Sequence, residues 1–284
     1  MGSISATLRK FLDIATDKVF WLMGVLHVPE RICRKSPRDI VLMYHSVSPD
    51  LLDYQYNVDP DSFRQQMCFL LDHYEVVSLG DILYLPNQGK TRVAITFDDA
   101  FLNFYQHAFP IIKDLHVPVT NFVPTGFIES GTTMLPGQKH LTWSQMRSMT
   151  ETGFVHFESH SHTHNHAVSL SKDEFKSDLL KSKHLIQDNL NYNPRYFAYP
   201  GGKHSFDTNQ IVAELGFERI LTSEKRFVSD KYAVGRISIE KKHSLYLFRA
   251  ELAGLAETVY KLRKTITGNI RIQKKNHQKI AEEK

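Results

Sequence analysis

A hydrophobic stretch ends in two carboxylates at Thr96-Phe97-Asp98-Asp99, and about sixty residues later the chain reads Glu158-Ser159-His160-Ser161-His162-Thr163-His164-Asn165-His166. One carboxylate and two imidazoles suit a borderline divalent cation. A second carboxylate is then free to take a proton from metal-bound water. Adjacent carboxylates repel, and a bound cation lets both stay ionised. Alone, an Asp-Asp pair at a strand end is more often a turn that caps the next helix. His156, Glu158, His160, His162, His164 and His166 share sequence parity. In an extended segment they would project on one side. The plain alternative is a solvated histidine-rich loop, which the carboxylate pair makes less attractive.

These residues need elements to hold them. Strand and helix signals alternate from residue 39 to about 240. Ile40–Tyr44, Arg92–Phe97, Val117–Val123, Phe154–Phe157, Tyr196–Tyr199, Arg219–Thr222 and Gly235–Ile239 read as strands. Helices are expected over about 61–73, with Phe63, Met67, Leu70 and Leu71 on one face, and over about 100–115, with Pro110 kinking or ending a turn. Further helices are expected from Thr142 to about Thr152, from the capping box Ser171–Glu174 onward, over about 207–215, and over 243–267. Residues 124–141, rich in Gly, Thr and Pro, read as an inserted loop. Repeated βα units predict an α/β fold with parallel strands, closed as a barrel or open. The chemically loaded residues then fall at strand C-terminal ends, where such barrels build active sites.

Thr96-Phe97-Asp98-Asp99-Ala100 resembles the first motif of the polysaccharide deacetylase family (NodB-homology, carbohydrate esterase family four), and Ser159–His164 resembles its His–Ser/Thr–x–x–His second motif. Leu141-Thr142-Trp143 and Phe197-Ala198-Tyr199-Pro200-Gly201-Gly202 are similar to its strand edges. Leu42–Val47 is similar to the Tyr-His segment of the poly-N-acetylglucosamine deacetylase branch. The resemblance covers roughly residues 39–240 and implies a distorted (β/α)7-type barrel with basic terminal helices. It implies Asp99, His160 and His164 as metal ligands, with His162 or His166 as alternatives to His164. It implies Asp98 as catalytic base and His45 as the acid that protonates the leaving amine. Tyr199, Trp143 and Pro200 are the candidate substrate-binding residues. Ala198 stands where the family commonly carries an arginine, and Arg236 is the candidate to supply that charge. Ala100 replaces a usual glycine, Gly201 stands where an aromatic is common, and no late Leu-x-His motif is present.

The 284 residues contain 42% hydrophobic and 23% charged residues, ordinary values for a soluble globular chain. Two cysteines, Cys33 and Cys68, make no disulfide framework and favour a reducing compartment. Residues 1–38 carry a net charge of +4 and residues 261–284 a net of +6, which leaves −6 on the body against the total of +4. Basic ends on an acidic body argue against a nucleic-acid-binding core and suit a peripheral contact with anionic membrane or a polyanionic glycan, or simply solvated tails. The apolar run Val19–Val28 is too short to span a membrane and lacks a signal-peptide cleavage site. A cytoplasmic enzyme, or one on the inner membrane face, is therefore expected. The domain plan is a helical N-terminal segment (1–38), a catalytic domain (39–240) and a C-terminal helix with basic tail (241–284).

The expected activity is metal-dependent removal of an N-acyl group, most simply acetyl, from an amino sugar in a polysaccharide or glycan precursor. Zn²⁺ is the default ion, with Co²⁺, Ni²⁺, Mn²⁺ or Fe²⁺ acceptable to the same donors. O-acetyl ester or N-formyl sugar hydrolysis would use the same site. A catalytically silent glycan-binding relative is the competing class. A non-haem iron site from His156, Glu158 and a later histidine is a third.

Overall fold

The computed structural model describes residues 37–50, 54–224 and 232–255, together with Lys18 and Leu22. The apolar run Val19–Val28 (Leu22 apart), Cys33 and the chain beyond residue 255 lie outside the described residues. Ser36–Lys242 forms one compact unit, and the described residues from His243 onward belong to a second.

The elements run β1 (Asp39–Tyr44), β2 (Ser46–Val47), β3 (Asn57–Val58), α1 (Pro60–His73), β4 (Glu75–Val76), α2 (Leu79–Tyr84), β5 (Arg92–Phe97), a π-helical turn (Phe104–Ala108), α3 (Phe109–Leu115) and β6 (Val119–Val123). There follow α4 (Thr125–Ser130), α5 (Trp143–Thr150), β7 (Val155–Ser159), α6 (Lys172–Leu190), β8 (Tyr196–Ala198), α7 (Phe206–Glu214), β9 (Arg219–Leu221), β10 (Ala233–Val234) and β11 (Ile237–Ser238). In the second unit Ser244 caps α8 (Leu245–Leu252).

β1 and β5 are apolar runs buried almost end to end, as expected of parallel strands covered on both faces. Their sheet runs β10-β9-β8-β7-β6-β5-β1-β11, parallel throughout, with β4 added beside the start of β5. This is the curled parallel half-barrel that the (β/α)7 expectation describes. The outermost strands, β10 and β11, are separated in sequence only by Gly235 and Arg236, so those two residues lie at the seam. Strand alternation sorts the apolar side chains into two layers. Val41, Ala94, Phe122, Ala198, Leu221 and Val234 share one cluster. Phe197 and Ile220, one residue out of phase, pack with Phe175, Leu179, Ile211 and Val212 of the covering helices.

Local chemistry sets the helix ends. Asp59 caps α1 through the amides of Asp61 and Ser62, with Pro60 in its first turn. Capping boxes start α5 at Thr142 and α6 at Ser171, and α6 stops at Asn191 in the left-handed conformation. Several expectations need correction. Leu71 points to solvent, because α1 turns its Phe63–Met67–Leu70 stripe inward. The chain ahead of Pro110 is π-helical rather than α-helical. The wider turn relieves the clash between the proline ring and the preceding carbonyls. Residues 124–141 are not all loop, since α4 occupies Thr125–Ser130. Among the described residues no helix is long and apolar enough to cross a membrane.

Candidate active site

The parallel sheet brings the C-terminal ends of β1, β5, β7, β8 and β9 to one rim. There they surround a pocket of about 250 Å³ lined by residues including His45, Asp98, Asp99, His160, His164 and Arg236. At the end of β5 the chain turns through two consecutive left-handed residues, Asp99 (φ 71°) and Ala100 (φ 49°). Each costs about 1–2 kcal/mol for a residue with a Cβ. The turn breaks strand alternation and so lets both carboxylates face the pocket.

Asp99, His160 and His164 offer donor atoms that all lie within 4.8 Å of one another. His164 Nε2 is 3.2 Å and His160 Nε2 3.6 Å from Asp99 Oδ1. His160 Nδ1 lies 2.8 Å from the Ala198 carbonyl oxygen. A carbonyl only accepts, so Nδ1 carries the proton and Nε2 presents its lone pair to the carboxylates. Lone pair facing carboxylate, both buried, is an arrangement that a cation between them would satisfy, and these donors fit a borderline divalent metal. Burial pushes the His160 ring down to about 4, with smaller opposing effects from its charged neighbours. Burial pushes the Asp99 carboxyl up, but the His164 hydrogen bond and the positive field of His45, His164 and His160 outweigh it and hold it below the usual carboxylate range.

Asp98 sits beside this group and is held by Arg236. The guanidinium, 1% exposed on its side chain, spans both carboxylate oxygens at 2.7 and 2.8 Å. Its other side-chain hydrogen bonds go to Thr96 Oγ1 and the Thr222 carbonyl, and it lies over the Phe122 ring at 5.4 Å. Burial pushes the Asp98 carboxyl up. The Arg236 charge, His160, the Arg236 hydrogen bonds and His45 overcome that, and the carboxyl lies below its ordinary value. The two acids are thus inequivalent: one faces two imidazoles, the other is clamped by a guanidinium.

The histidine loop is positioned by its backbone. Asp178 of α6 accepts from the amides of His162 and Thr163 at 3.1 and 2.8 Å. The start of α4 donates Thr125 and Gly126 amides to the carbonyls of Ser161 and His162. Ser161 (φ 66°) and His164 (φ 59°) are left-handed, so the shared parity of the histidines ends with β7. His162 turns to Thr125 Oγ1, and His166 Nδ1 turns to the Pro200 carbonyl. Neither belongs to the Asp99 group. Glu158 points elsewhere too, accepting from the Arg195 and Tyr196 amides and contacting the half-exposed His156. The triad of His156, Glu158 and a later histidine therefore does not assemble.

A polysaccharide deacetylase family model matches residues 86–220, a span that includes Asp98, Asp99, His160 and His164. The poly-β-1,6-N-acetyl-D-glucosamine N-deacetylase of Staphylococcus epidermidis is 29% identical over 224 residues, 74% of this chain and 76% of that protein. Residues 86–220 are thus similar to a polysaccharide deacetylase domain. The enzyme of the same name from Staphylococcus aureus is 28% identical over 199 residues, 65% of this chain and 68% of that protein. Among solved structures, the deacetylase PplD of Streptococcus pyogenes, in complex with acetate, superposes with a TM-score of 0.67 at 28% identity, covering 76% of this chain and 98% of that one. IcaB from Ammonifex degensii gives a TM-score of 0.68 at 25% identity, covering 77% and 98%.

The other expected site residues divide. His45 lines the pocket with its ring stacked on Tyr56 at 4.6 Å, and its buried Nδ1 has no hydrogen-bond partner. Tyr199 lines the pocket as part of a wall, 1% exposed, bonded to Asn209 and stacked on His204. Trp143 and Pro200 are not among the lining residues. Trp143 donates its indole N–H to Glu129 on the outer surface, and Pro200 meets His166. Tyr54, Tyr56, Met43, Met134, Leu135 and Ser223 also line the pocket and were not singled out from sequence. The Tyr54 phenol is pushed up by burial, then by Asp99 and Asp98, so it stays protonated beside the carboxylates. A tyrosine-rich strand edge after the Tyr-His segment was the available signal.

Proposed function

We propose that the protein is a metal-dependent hydrolase that removes N-acetyl groups from a polymeric amino sugar, with β-1,6-linked N-acetylglucosamine as the substrate class suggested by its relatives. The carrying observation is the buried Asp99–His160–His164 group beside the arginine-clamped Asp98 at one pocket. Asp99, His160 and His164 would hold the ion, Zn²⁺ by default and Co²⁺, Ni²⁺, Mn²⁺ or Fe²⁺ on the same donors. When bound, the ion supplies Lewis-acid polarisation of the acyl carbonyl and a nucleophilic water at neutral pH. Asp98 would accept the proton of the attacking water: each Arg236 bond uses one lone pair, which leaves others open. Arg236 keeps Asp98 ionised and aimed. His45 delivers a proton to the departing amine, so that acetate and a free amino sugar leave. Tyr199 shapes the sugar site as a wall rather than as an exposed platform. Acetate is the product expected here, and PplD is a relative described in complex with it.

Ester or N-formyl hydrolysis would use the same residues. The silent reading draws on Ala198 in place of an arginine and on the missing late Leu-x-His motif, and the buried Arg236–Asp98 pair answers the first of these. In the same proposal residues 39–240 are the catalytic domain. The basic ends, 1–38 and 241–284, make peripheral contact with anionic lipid on the cytoplasmic face, and nucleic acid is no partner.

The test is acetate release from N-acetylglucosamine oligomers by protein loaded with Zn²⁺ or Co²⁺. Asp98→Asn is expected to lower turnover about 100-fold or more while metal binding persists. Metal binding without turnover on any N- or O-acyl sugar would sink the enzymatic reading.

A further inference from the structure

A residue that ties the strained Asp99-Ala100 turn to the rest of the pocket is His140. It is 8% exposed and belongs to the segment before α5. Its Nδ1 is 2.8 Å from the carbonyl oxygen of Asp99. Its Nε2 is 3.4 Å from the amide of Met134, which donates to it. These partners fix the ring's state. A carbonyl can only accept and an amide can only donate, so Nδ1 carries the proton and Nε2 does not. The imidazole is neutral, in one tautomer, and bonded at both ends.

Its surroundings hold it there. The ring lies between Phe101 and Phe127, with centroids 5.2 and 5.1 Å away and tilted by 30° and 28°. Phe127 in turn meets His164 edge-on at 6.5 Å. On either side of the ring, Leu141 N–H bonds the Ala100 carbonyl and Leu102 N–H bonds the Lys139 carbonyl, both at 2.8 Å. A short antiparallel pairing centred on Phe101 and His140 thus follows directly on the two left-handed residues, and the side-chain bond to the Asp99 carbonyl extends it back to the first of them. Met134 and its neighbour Leu135 line the pocket.

We infer that His140 is a positioning residue of the deacetylase site, a neutral Nδ1-protonated imidazole that aims Asp99 through its carbonyl and pins the Met134–Leu135 wall through its other nitrogen. The inference rests on the proposed metal-dependent activity for its functional meaning, but the bonding pattern stands without it. Loss of the first bond frees the strained turn and moves a ligand carboxylate. Loss of the second frees the wall that meets the substrate.

The two arms separate by substitution. An asparagine amide can replace the Nδ1–H donor but does not reach Met134. In the full-length protein, His140→Ala is expected to weaken Co²⁺ binding about 10–100-fold and alter the Co²⁺ absorption spectrum, as loss of outer-shell support does. His140→Asn should recover the Co²⁺ affinity and spectrum yet keep a raised KM at near-normal kcat. Nitrogen-15 NMR of the metal-free wild type should show His140 protonated at Nδ1 alone. An Nε2-protonated ring would overturn the inference, as would Co²⁺ affinity and spectrum unchanged in a folded His140→Ala. If wild type binds no Co²⁺ and releases no acetate, the proposed activity fails instead, and the tautomer still decides the bonding pattern.

Discussion

At the scale of single residues, the site works by making two neighbouring acids different. Asp98 is buried, and burial alone would favour its neutral form. Two charge-assisted bonds from Arg236 reverse that. Arg236→Lys keeps a charge but gives up the two-pronged contact, so the Asp98 pKa should rise. The acid limb of the kcat/KM profile should then move to higher pH, because a base must be ionised to act. A pH–rate profile with its acid limb unmoved would argue that Asp98 is not the base. Arg236→Met goes further, leaving a buried carboxylate unpaired, and should cost about 3–5 kcal/mol in stability. Urea unfolding of that variant measures the cost. The pairing itself was only half legible. Ala198 marks where an arginine is missing, but nothing local to Gly235-Arg236 says that this arginine crosses the barrel to a residue 138 positions earlier.

At the scale of elements, the histidine loop depends on a close backbone approach from α4. A Cβ on Gly126 would stand 2.5 Å from the His162 carbonyl oxygen, nearer than real contacts allow. Gly126→Ala should therefore cost about 1–3 kcal/mol, as overpacking does, and weaken metal binding by displacing the loop. Paired urea melts and Zn²⁺ titrations check this, and wild-type values in both would refute the account. The long elements were readable because their patterns are strong. β1 and β5 are mostly apolar runs, and Ser171–Glu174 is a capping box. α4 was hidden because it has six residues, no side-chain cap, and only Thr125 among its buried residues. The parity of the histidines predicted one shared face. It failed after His160, because Ser161 and His164 adopt left-handed conformations that no alternation rule anticipates. His140 escaped notice because its role comes from long-range pairing with residues 99–102, which a lone histidine before Leu141-Thr142-Trp143 does not signal.

At the scale of the whole molecule, the metal site should govern how stability responds to pH and to ions. In metal-free protein the His160 ring lies at about 4 against an ordinary 6.5, chiefly through burial. The unfolded chain therefore takes up a proton at higher pH than the folded one. The stability linked to this ring is fully present above 6.5 and is lost as pH falls toward 4, an effect of about 3 kcal/mol. Urea melts in chelator across that window should show the fall, and His160→Gln should flatten it. A slope unchanged in that variant would assign the acid sensitivity elsewhere. Adding Zn²⁺ at about 100 times its Kd should raise stability by about 2.7 kcal/mol, and chelator should reverse it. A Tm indifferent to both would contradict a preformed ion site.

The position of Arg236 at the seam between the sheet's outermost strands also carries a consequence in time. During synthesis the three candidate ligands have all been made by residue 164, whereas the partner of Asp98 arrives 72 residues after that. Asp178 and Ala198, which hold the histidine loop and the His160 ring, follow within 34 residues of His164, still well before the arginine that meets Asp98. The last-made edge of the sheet is therefore also the part that supplies the guanidinium of the Asp98 pair, so under the proposed mechanism the base is clamped only once the final strands have been made.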